Sequence, residues 1–405
     1  MTTSVPATER STAYEMTGAR PRVESVDVVR GIIMIPMALD QVRDYFGNLA
    51  VSPTDLATTT APLFFTRWIT HICAPVFFLL TGTGAYLALR RRSRAQLSRF
   101  LLTRGLWLIA LEIVVVRFLM TFNFDYRTTV LTVLWALGWS MVFLSALVFL
   151  PTRVTTAIGI VMIATHNLLD PIGATSFGAL APLWSILHVP GFVIQGSEHV
   201  VFEAYPLIPW IGVAAVGYGL GAIYGWDADR RRTLLLRLGL GLTGAFVVLR
   251  VMNVYGDPVP WTEQRSPLFT MLSFLNTNKY PPSLLFLLMT LGPALLLLRW
   301  VDAKTPRLLR PAHVIGKVPL FYFLLHFLII HVLAVVVCYI RYGSAHWMFE
   351  SPNLGQFPIT QPPGWPAPLP VVYLVWMSVV AATYPLCKWF AGVKQRRREW
   401  WVSYL

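Results

Sequence analysis

Charged residues are scarce in this chain, and cysteine is almost absent. Only 13% of the 405 residues are charged and 56% are hydrophobic, whereas about a quarter of a soluble domain is charged. This balance argues against a water-soluble globular protein and excludes a disordered one, which would be poor in apolar residues. The three cysteines (Cys73, Cys338, Cys387) lie in apolar runs, which predicts packing rather than disulfides.

Motifs for metal or phosphate chemistry are also missing from the sequence. No histidine, cysteine or carboxylate cluster has metal-ligand spacing, and no glycine-rich phosphate loop or G-x-S-x-G follows a strand pattern. We therefore expect no metal. The net charge of +14 would suggest nucleic acid in a soluble protein, but in a membrane protein it indicates basic cytoplasmic loops. We expect no nucleic-acid partner.

Long apolar segments dominate the rest of the chain. A helix needs about 20 apolar residues to cross a bilayer, and ten segments approach that length: 26–46, 62–89, 98–121, 129–150, 154–169, 204–226, 233–252, 281–300, 315–340 and 370–391. The sequence therefore predicts an all-α integral membrane protein with about ten transmembrane helices and the lipid bilayer as its surroundings.

Lysine and arginine predict the orientation, because basic loops stay on the cytoplasmic side. With the N-terminus inside, the inner segments hold 23 of the 33 basic residues and the outer loops hold four, so both termini are expected in the cytoplasm. Residues 1–25 are polar and contain no signal-peptide pattern. We expect a disordered N-terminus (1–25), one membrane domain (26–392) and a basic tail (393–405).

The first span has the most charged residues. They stand three or four positions apart near both ends, so they are neighbours on one face (Asp27 with Arg30, and Asp40 with Arg43 and Asp44). From Arg30 to Gln41 is eleven residues, or about 16 Å along the helix. Two interpretations stay open: ion pairs at the two membrane surfaces, or a polar stripe that serves a site inside the membrane.

The second span combines a histidine with a proline. Arg67 and His71 are one turn apart, and Pro75 cannot donate a hydrogen bond to the carbonyl of His71, which predicts a break in the helix there. His71 is either a proton donor and acceptor or a buried structural histidine. The run at 81–84, Thr-Gly-Thr-Gly, predicts close helix packing.

Other polar residues fall within or beside later spans (Glu112, Arg117, His166, Asp170, His326, His331). His326 and His331 lie about 140 degrees apart around a helix, so they cannot share one partner, and one of the two is expected to be structural. The expected outer loops 170–203 and 341–369 are long, and the first is apolar enough to dip back into the bilayer. Long outer loops often cover a site.

Seven segments, in order between residues 22 and 390, resemble a bacterial family of multi-pass membrane proteins related to heparan-alpha-glucosaminide N-acetyltransferase. They are VESVDVVRGIIMIPMALDQVRDYF, LFFTRWITHICAPVFFLLTGTGAYL, LWALGWSMV, THNLLD, YPLIPWIGVAAVGYGLG, YPPSLLFLLMTLGPALLL and VPLFYFLLHFLIIH.

The resemblance implies a transmembrane acyltransferase in the bacterial inner (cytoplasmic) membrane. Such an enzyme would move an acyl group, such as acetyl, from cytosolic acetyl-CoA or another acyl-CoA to a hydroxyl or amine across the bilayer. The acceptor would be a small molecule or glycan, such as an envelope sugar or a lipid head group. Whether the chain forms a homodimer stays open.

The chain departs from the pattern that the resemblance implies. The wider superfamily has an arginine followed eleven residues later by a histidine, and here these positions hold Arg30 and Gln41. Glutamine can form hydrogen bonds but cannot act as a base. No histidine lies between Gln41 and His71, so His71 is the best remaining base.

The resulting hypothesis assigns a role to each polar group. His71, Asp40 and Gln41 are the catalytic candidates, with Asp40 or Asp44 orienting His71. Five residues are expected to bind substrate: Arg30, Arg43, Asp44, Arg67 and His326. Arg43, Arg67 or Gln41 is expected to stabilise a developing oxyanion. Arg90, Arg91 and Arg92 are expected to bind the phosphates of acyl-CoA. The orientation of the chain in the membrane would also explain these arginines, because basic loops stay on the cytoplasmic side.

Two other functions fit the same residues. The polar stripe and proline-broken helices would suit a proton-coupled transporter or flippase, although the chain lacks the two-fold internal repeat that many transporters show. A non-catalytic relative is the other alternative, in which Gln41 marks lost activity.

Overall fold

The computed structural model describes residues 23–397, which are mostly helical. Its α-helices are α1 (Glu24–Phe46), α2 (Ala61–Thr70), α3 (Cys73–Leu89), α4 (Arg94–Leu111), α5 (Arg117–Thr121), α6 (Val133–Leu147), α7 (Thr152–Thr165), α8 (Ala181–Leu187), α9 (Leu207–Leu220), α10 (Ala228–Met252), α11 (Pro267–Leu275), α12 (Leu284–Ala303), α13 (Arg310–Lys317), α14 (Pro319–Tyr342) and α15 (Leu369–Arg396). A π-helical turn (Glu112–Val116) joins α4 to α5, and 3-10 turns follow α7 (His166–Leu169) and precede α8 (Ala174–Leu180).

Six helical runs in the described residues are long and apolar enough to cross a membrane: Ala61–Leu89, Leu207–Gly225, Ala228–Met252, Leu284–Ala303, Pro319–Tyr342 and Leu369–Arg396. Each coincides with a span predicted from the sequence. A seventh candidate, Thr152–Leu169 with Ala174–Leu187, is bent by 106° at a short break. The protein is therefore a multi-pass membrane protein, and the predicted total of ten spans remains a prediction.

The predicted all-α fold and the predicted fourth span both need a correction. Residues Thr128–Leu131 form a strand, β1, and helix α6 begins only at Val133. β1 pairs in parallel with β3 (Val200–Glu203), which pairs antiparallel with β2 (Gly191–Gln195). A short apolar run rich in β-branched residues gives the same sequence signal at the start of a helix as in a strand, and its partner lies about 70 residues further along the chain.

The predicted end segments fall mostly outside the described residues. Residues 1–22 and 398–405 are not described, so the prediction of a disordered lead-in and most of the prediction of a basic tail lie outside the structure. The start of the predicted tail, residues 393–396, is the last turn of α15.

Helix α1 lies at the centre of the bundle. It packs against α2, α3, α12, α13, α14 and α15. Its contact with α13 is so close that a Cβ on Gly31 would lie 1.7 Å from the carbonyl oxygen of Ala312. Glycine lets two helix backbones approach in this way. The charged stripe of α1 is therefore surrounded by protein.

The predicted helix break at His71 is confirmed. Helix α2 ends at Thr70, α3 begins at Cys73, and His71 and Ile72 form a turn between them. The predicted close packing at 81–84 is confirmed as well, because a Cβ on Gly82 would lie 1.9 Å from the carbonyl oxygen of Ala214 in α9. The break separates α2 from α3, and the close contact holds α3 against α9.

Candidate functional site

A cavity of about 550 Å³, called here the polar cavity, lies between the C-terminal half of α1 and helix α2. Residues from α3, α14 and the loops around the sheet complete its wall. Its polar lining comes from five segments of the chain (Asp40, Gln41, Arg43, Asp44, Arg67, Thr70, Thr132, Tyr205, Lys279, Tyr280). The C-terminal part of the polar stripe on α1 thus faces a cavity within the protein.

Ion pairs connect α1 to α2 across this cavity. The Arg67 guanidinium is hydrogen-bonded to Asp40 Oδ2, and Thr70 Oγ1 donates to the same oxygen at 2.8 Å. Arg43 Nη1 lies 3.3 Å from Asp40 Oδ1, and Arg43 Nη2 lies 2.7 Å from Asp44 Oδ1. The side chains of Asp40, Arg43 and Arg67 are only 13–15% exposed. Such shielded pairs hold their charges in fixed positions.

Two tyrosines extend this network away from α1. Arg67 Nη2 donates to the Tyr280 hydroxyl at 3.3 Å, and the hydroxyls of Tyr280 and Tyr205 lie 3.5 Å apart. Tyr280 lies outside the spanning helices, in the segment between α11 and α12. Burial opposes ionisation of this phenol, but the positive charges of Lys279 and Arg67 outweigh it and lower the pKa of Tyr280 to about 8. A tyrosine with such a pKa can exchange a proton near neutral pH.

Sequence reasoning missed Tyr205, Lys279 and Tyr280. Both tyrosines stand directly before a proline, at Tyr205-Pro206 and Tyr280-Pro281, and both lie at the start of segments that carried the family resemblance. The paired Tyr-Pro steps are the signal that could have identified them.

Gln41 lines the polar cavity, and its Oε1 atom is buried without a hydrogen-bond partner in the described part of the chain. Leaving a buried amide oxygen unpaired costs roughly 1–3 kcal/mol. A polar group bound in the cavity would remove that cost. Gln41 is therefore in position to contact a substrate.

The histidines predicted to act here, His71 and His326, do not line the polar cavity. His71 is 2% exposed, packs edge-on against Phe286 at 5.3 Å and is not one of the described residues that line the polar cavity. Its Nδ1 atom has no hydrogen-bond partner in residues 23–397. Asp40 and Asp44 are paired with arginines instead, so the predicted orienting bond from either carboxylate to His71 is not part of this geometry.

The histidines of α14 are also buried away from the cavity. His326 Nδ1 lies 3.0 Å from the carbonyl oxygen of Tyr322, one turn earlier. His331 contacts two carbonyl oxygens, of Leu119 and Met348, at 2.9 and 2.7 Å. His331 thus joins three segments of the chain, which is a structural role, as expected for one of the two.

A second cavity of about 640 Å³, the arginine cavity, lies beside the N-terminal half of α1. Most of its lining is apolar, but its charged side chains are all basic (Arg30, Arg91, Arg92, Arg104, Lys317, Lys394). Arg30 is paired with Asp27 at 3.0 Å, and the Arg92 guanidinium lies 4.2 Å from the ring centre of Phe100. Arg90 lines a separate, smaller cavity with Arg231 and Asp302, so only two of the three predicted phosphate-binding arginines lie together.

The two cavities share part of their wall. Four apolar side chains line both of them (Met37, Phe77, Val133, Phe323). Arg30 lines the arginine cavity and Gln41 lines the polar cavity, about 16 Å apart on one helix. A thin apolar partition therefore separates two polar compartments along α1.

The fold and these cavities define a multi-pass membrane protein with an internal polar site. Residues 22–248 match the family model described as heparan-alpha-glucosaminide N-acetyltransferase, catalytic. The match covers more than half of the chain, and the chain belongs to this family of transmembrane acetyltransferase-like proteins. The matched residues include Arg30, Gln41 and Arg67, whereas Tyr280 lies beyond the end of the match. No curated protein matches the chain.

Proposed function

We propose that the protein transfers an acyl group from cytosolic acyl-CoA, with acetyl-CoA as the first candidate, to an amine or hydroxyl that enters the polar cavity. The observation that carries the proposal is the wall shared by the two cavities. A donor in the arginine cavity and an acceptor in the polar cavity would be separated by only four apolar side chains. Movement of Met37 or Phe323 would bring the reacting atoms of the donor and the acceptor together.

The arginine cavity suits the donor. Arginine binds phosphate through paired, charge-assisted hydrogen bonds, and Arg91 and Arg92 stand at the beginning of a basic segment before α4. With both termini in the cytoplasm, basic residues of this kind face the cytosol. The apolar partition at the far end of the cavity would receive the thioester end of acyl-CoA.

A ten-span topology would support this orientation. Helix α1 has 23 residues and is about 34 Å long, which is enough to cross a bilayer core. It has too many charges to be recognised by apolarity alone, but those charges face cavities and other helices. We propose ten spans in a bacterial inner membrane: the six apolar runs together with α1, the α4–α5 run, α6 and the bent α7–α8 pair.

The polar cavity suits the acceptor and the chemistry. Three cations, Arg43, Arg67 and Lys279, face two carboxylates there, and this positive excess would stabilise the oxyanion that forms when the acceptor attacks the thioester carbonyl. Gln41 would bind the acceptor through its unpaired oxygen. The acceptor would lose a proton to a base, the C–S bond would break, and the departing thiolate would take up a proton.

Tyr280 is the base that the geometry favours over His71. Tyr280 lines the cavity and hydrogen-bonds to Arg67, whereas His71 is packed behind the wall. The two assignments differ in their consequences. Tyr280→Phe would abolish turnover while His71→Ala, if it folds, would keep most of it, and the opposite result would restore His71 as the base.

The experiment is acyl transfer by purified protein in proteoliposomes. Labelled acetyl-CoA is supplied with amino sugars, neutral sugars or lipid head groups, and labelled product and free CoA are measured. Gln41→Ala should lose at least tenfold in turnover, while the exposed amide variant Asn48→Ala serves as the matched control. If no acceptor is acylated but a solute enters the vesicles under a proton gradient, the protein is a transporter and the proposal is wrong.

A further inference from the structure

A second polar cluster lies at the bend between α7 and α8. His166 begins the short 3-10 turn after α7, and Asp170 directly follows that turn. The chain then bends through 106°, and His188 follows the last residue of α8. The bend returns His188 to the first two residues, with His188 Nε2 3.1 Å from Asp170 Oδ1.

These three side chains converge on one point. One nitrogen from each histidine and one oxygen of Asp170 all lie within 4.8 Å of one another. The two imidazole rings are 5.8 Å apart between centres. In a tetrahedral site with bonds of about 2.0–2.1 Å, ligand atoms are about 3.3 Å apart. Small rotations of the side chains would therefore close the cluster around an ion.

Both histidines are buried without adequate partners. His166 is 1% exposed and His188 is fully buried. Within residues 23–397, Nδ1 of His188 has no hydrogen-bond partner, and His166 has only a poorly aligned contact with the backbone of Pro282. Buried polar atoms are normally paired, and unpaired ones call for an explanation. A bound cation that takes a lone pair from each ring provides it.

The carboxylate is already oriented for such a role. Asn167 Nδ2 donates to Asp170 Oδ2 at 2.8 Å, which leaves Oδ1 for His188 and an ion. The other end of the same amide, Asn167 Oδ1, accepts a hydrogen bond from the backbone N–H of Leu284 at 2.9 Å. Outer groups that hold ligands in this way are typical of metal sites. The Trp184 ring, 5.3 Å from the His188 ring, adds an apolar side.

We propose that His166, Asp170 and His188 bind a zinc ion. Two imidazole nitrogens and one carboxylate oxygen form a ligand set that zinc accepts, with a fourth position left for water or a substrate group. The proposal is independent of acyl transfer. The spacing of eighteen residues between Asp170 and His188 has no metal-motif pattern, so the cluster exists only because the chain bends between α7 and α8.

The zinc would fix one wall of the polar cavity. Pro190, two residues after His188, lines that cavity, and Leu284, which Asn167 binds, begins α12 just after Tyr280. An ion at the bend would therefore join the ends of α7 and α8, and the hydrogen bond from Leu284 to Asn167 would connect this bend to α12. Its expected role is structural, and its effect would appear first in stability.

The test is zinc binding by the full-length protein in detergent. Protein stripped with a chelator is titrated with zinc chloride against a chromophoric competitor, and bound metal is counted by mass spectrometry. We expect one zinc ion per chain and a rise in melting temperature. His188→Gln should weaken binding more than a hundredfold, and Asn167→Ala should weaken it 10- to 100-fold, as expected for an outer group. His199→Gln, an exposed histidine in the neighbouring hairpin, is the matched control and should bind like the wild type.

A second measurement uses only the wild type, so its result does not depend on whether a variant folds. Cobalt(II) added to the stripped wild type should give the visible absorption of a four-coordinate site, and X-ray absorption of the zinc form should show nitrogen and oxygen ligands without sulfur. Zinc binding below one equivalent in the wild type, or equal binding by His188→Gln, would overturn the proposal. So would a wild type whose melting temperature zinc does not raise.

Discussion

The ion pair between Asp40 and Arg67 offers the sharpest test of the polar cavity. Asp40→Asn removes a carboxylate that holds Arg67, Arg43 and Thr70 at once. The change keeps the shape of the side chain but raises the positive excess of the cavity from one charge to two. Arg67→Met removes the opposite partner and leaves Asp40 with Arg43 and Thr70.

The magnitude follows from burial. Both side chains are about one-seventh exposed, and breaking a buried pair by removing one partner costs roughly 3–5 kcal/mol. We expect about 3 kcal/mol for Asp40→Asn and about 2 kcal/mol for Arg67→Met, which is less because Arg43 still compensates Asp40. The double variant should lose only about 2–3 kcal/mol, since contacting residues have coupling energies of about 0.5–3 kcal/mol.

The assay is unfolding in mixed micelles with increasing sodium dodecyl sulfate, followed by circular dichroism. Asp55→Asn is the control, because Asp55 has only local partners on an exposed turn, and it should change the free energy of unfolding by less than about 0.5 kcal/mol. Additive losses in the double variant would refute the reasoning, because they would mean that α1 and α2 are not joined through this pair.

Four further predictions concern the cavities and the helix contacts. The ratio kcat/KM should rise as the pH increases through about 8, because Tyr280 loses its proton there. Tyr280→Phe should remove that rise, and an unchanged pH profile in the variant would exclude Tyr280 as the base. Arg92→Gln should raise the KM for acyl-CoA about tenfold with little change in kcat, and equal KM values would place the donor elsewhere. Gln41→His should lower turnover, because the variant loses the amide oxygen that binds the acceptor, and an increase would show that a base at this position helps. Gly82→Ala should destabilise the protein by about 1–3 kcal/mol through overpacking, measured against Gly244→Ala, where a Cβ meets no atom within 4 Å; equal stability would contradict the close α3–α9 contact.

The sequence predicted the features that depend on one helix at a time. The stripe from Arg30 to Gln41 follows from helical spacing, and the break at His71 follows from the missing N–H of Pro75. The six apolar runs follow from their length and composition. Each of these properties is determined by residues within a few turns of one another, so a pattern along the chain is enough to identify them.

Features that depend on distant neighbours were not predictable in the same way. Tyr280 meets Arg67 across 213 positions, and His188 meets Asp170 only after the chain bends. Periodicity indicates which face of a helix is polar but not which segment covers that face. For the same reason, the sequence suggested that Asp40 orients His71, whereas in the fold Asp40 pairs with Arg67.

The position of Met37 explains how one helix can serve two compartments. Arg30 and Gln41 are three turns apart and so lie on nearly the same face of α1, and Met37 lies between them and lines both cavities. Beside it, Pro36 lacks the N–H that would bond to the carbonyl of Ile32, which makes this turn the easiest place for α1 to bend. Trp376 of α15 donates to the carbonyl of Ile35 at 2.9 Å and anchors the backbone on the other side. A bend at Pro36 would therefore move Met37 relative to its three apolar neighbours and open the partition without separating the charged ends of α1 from their partners.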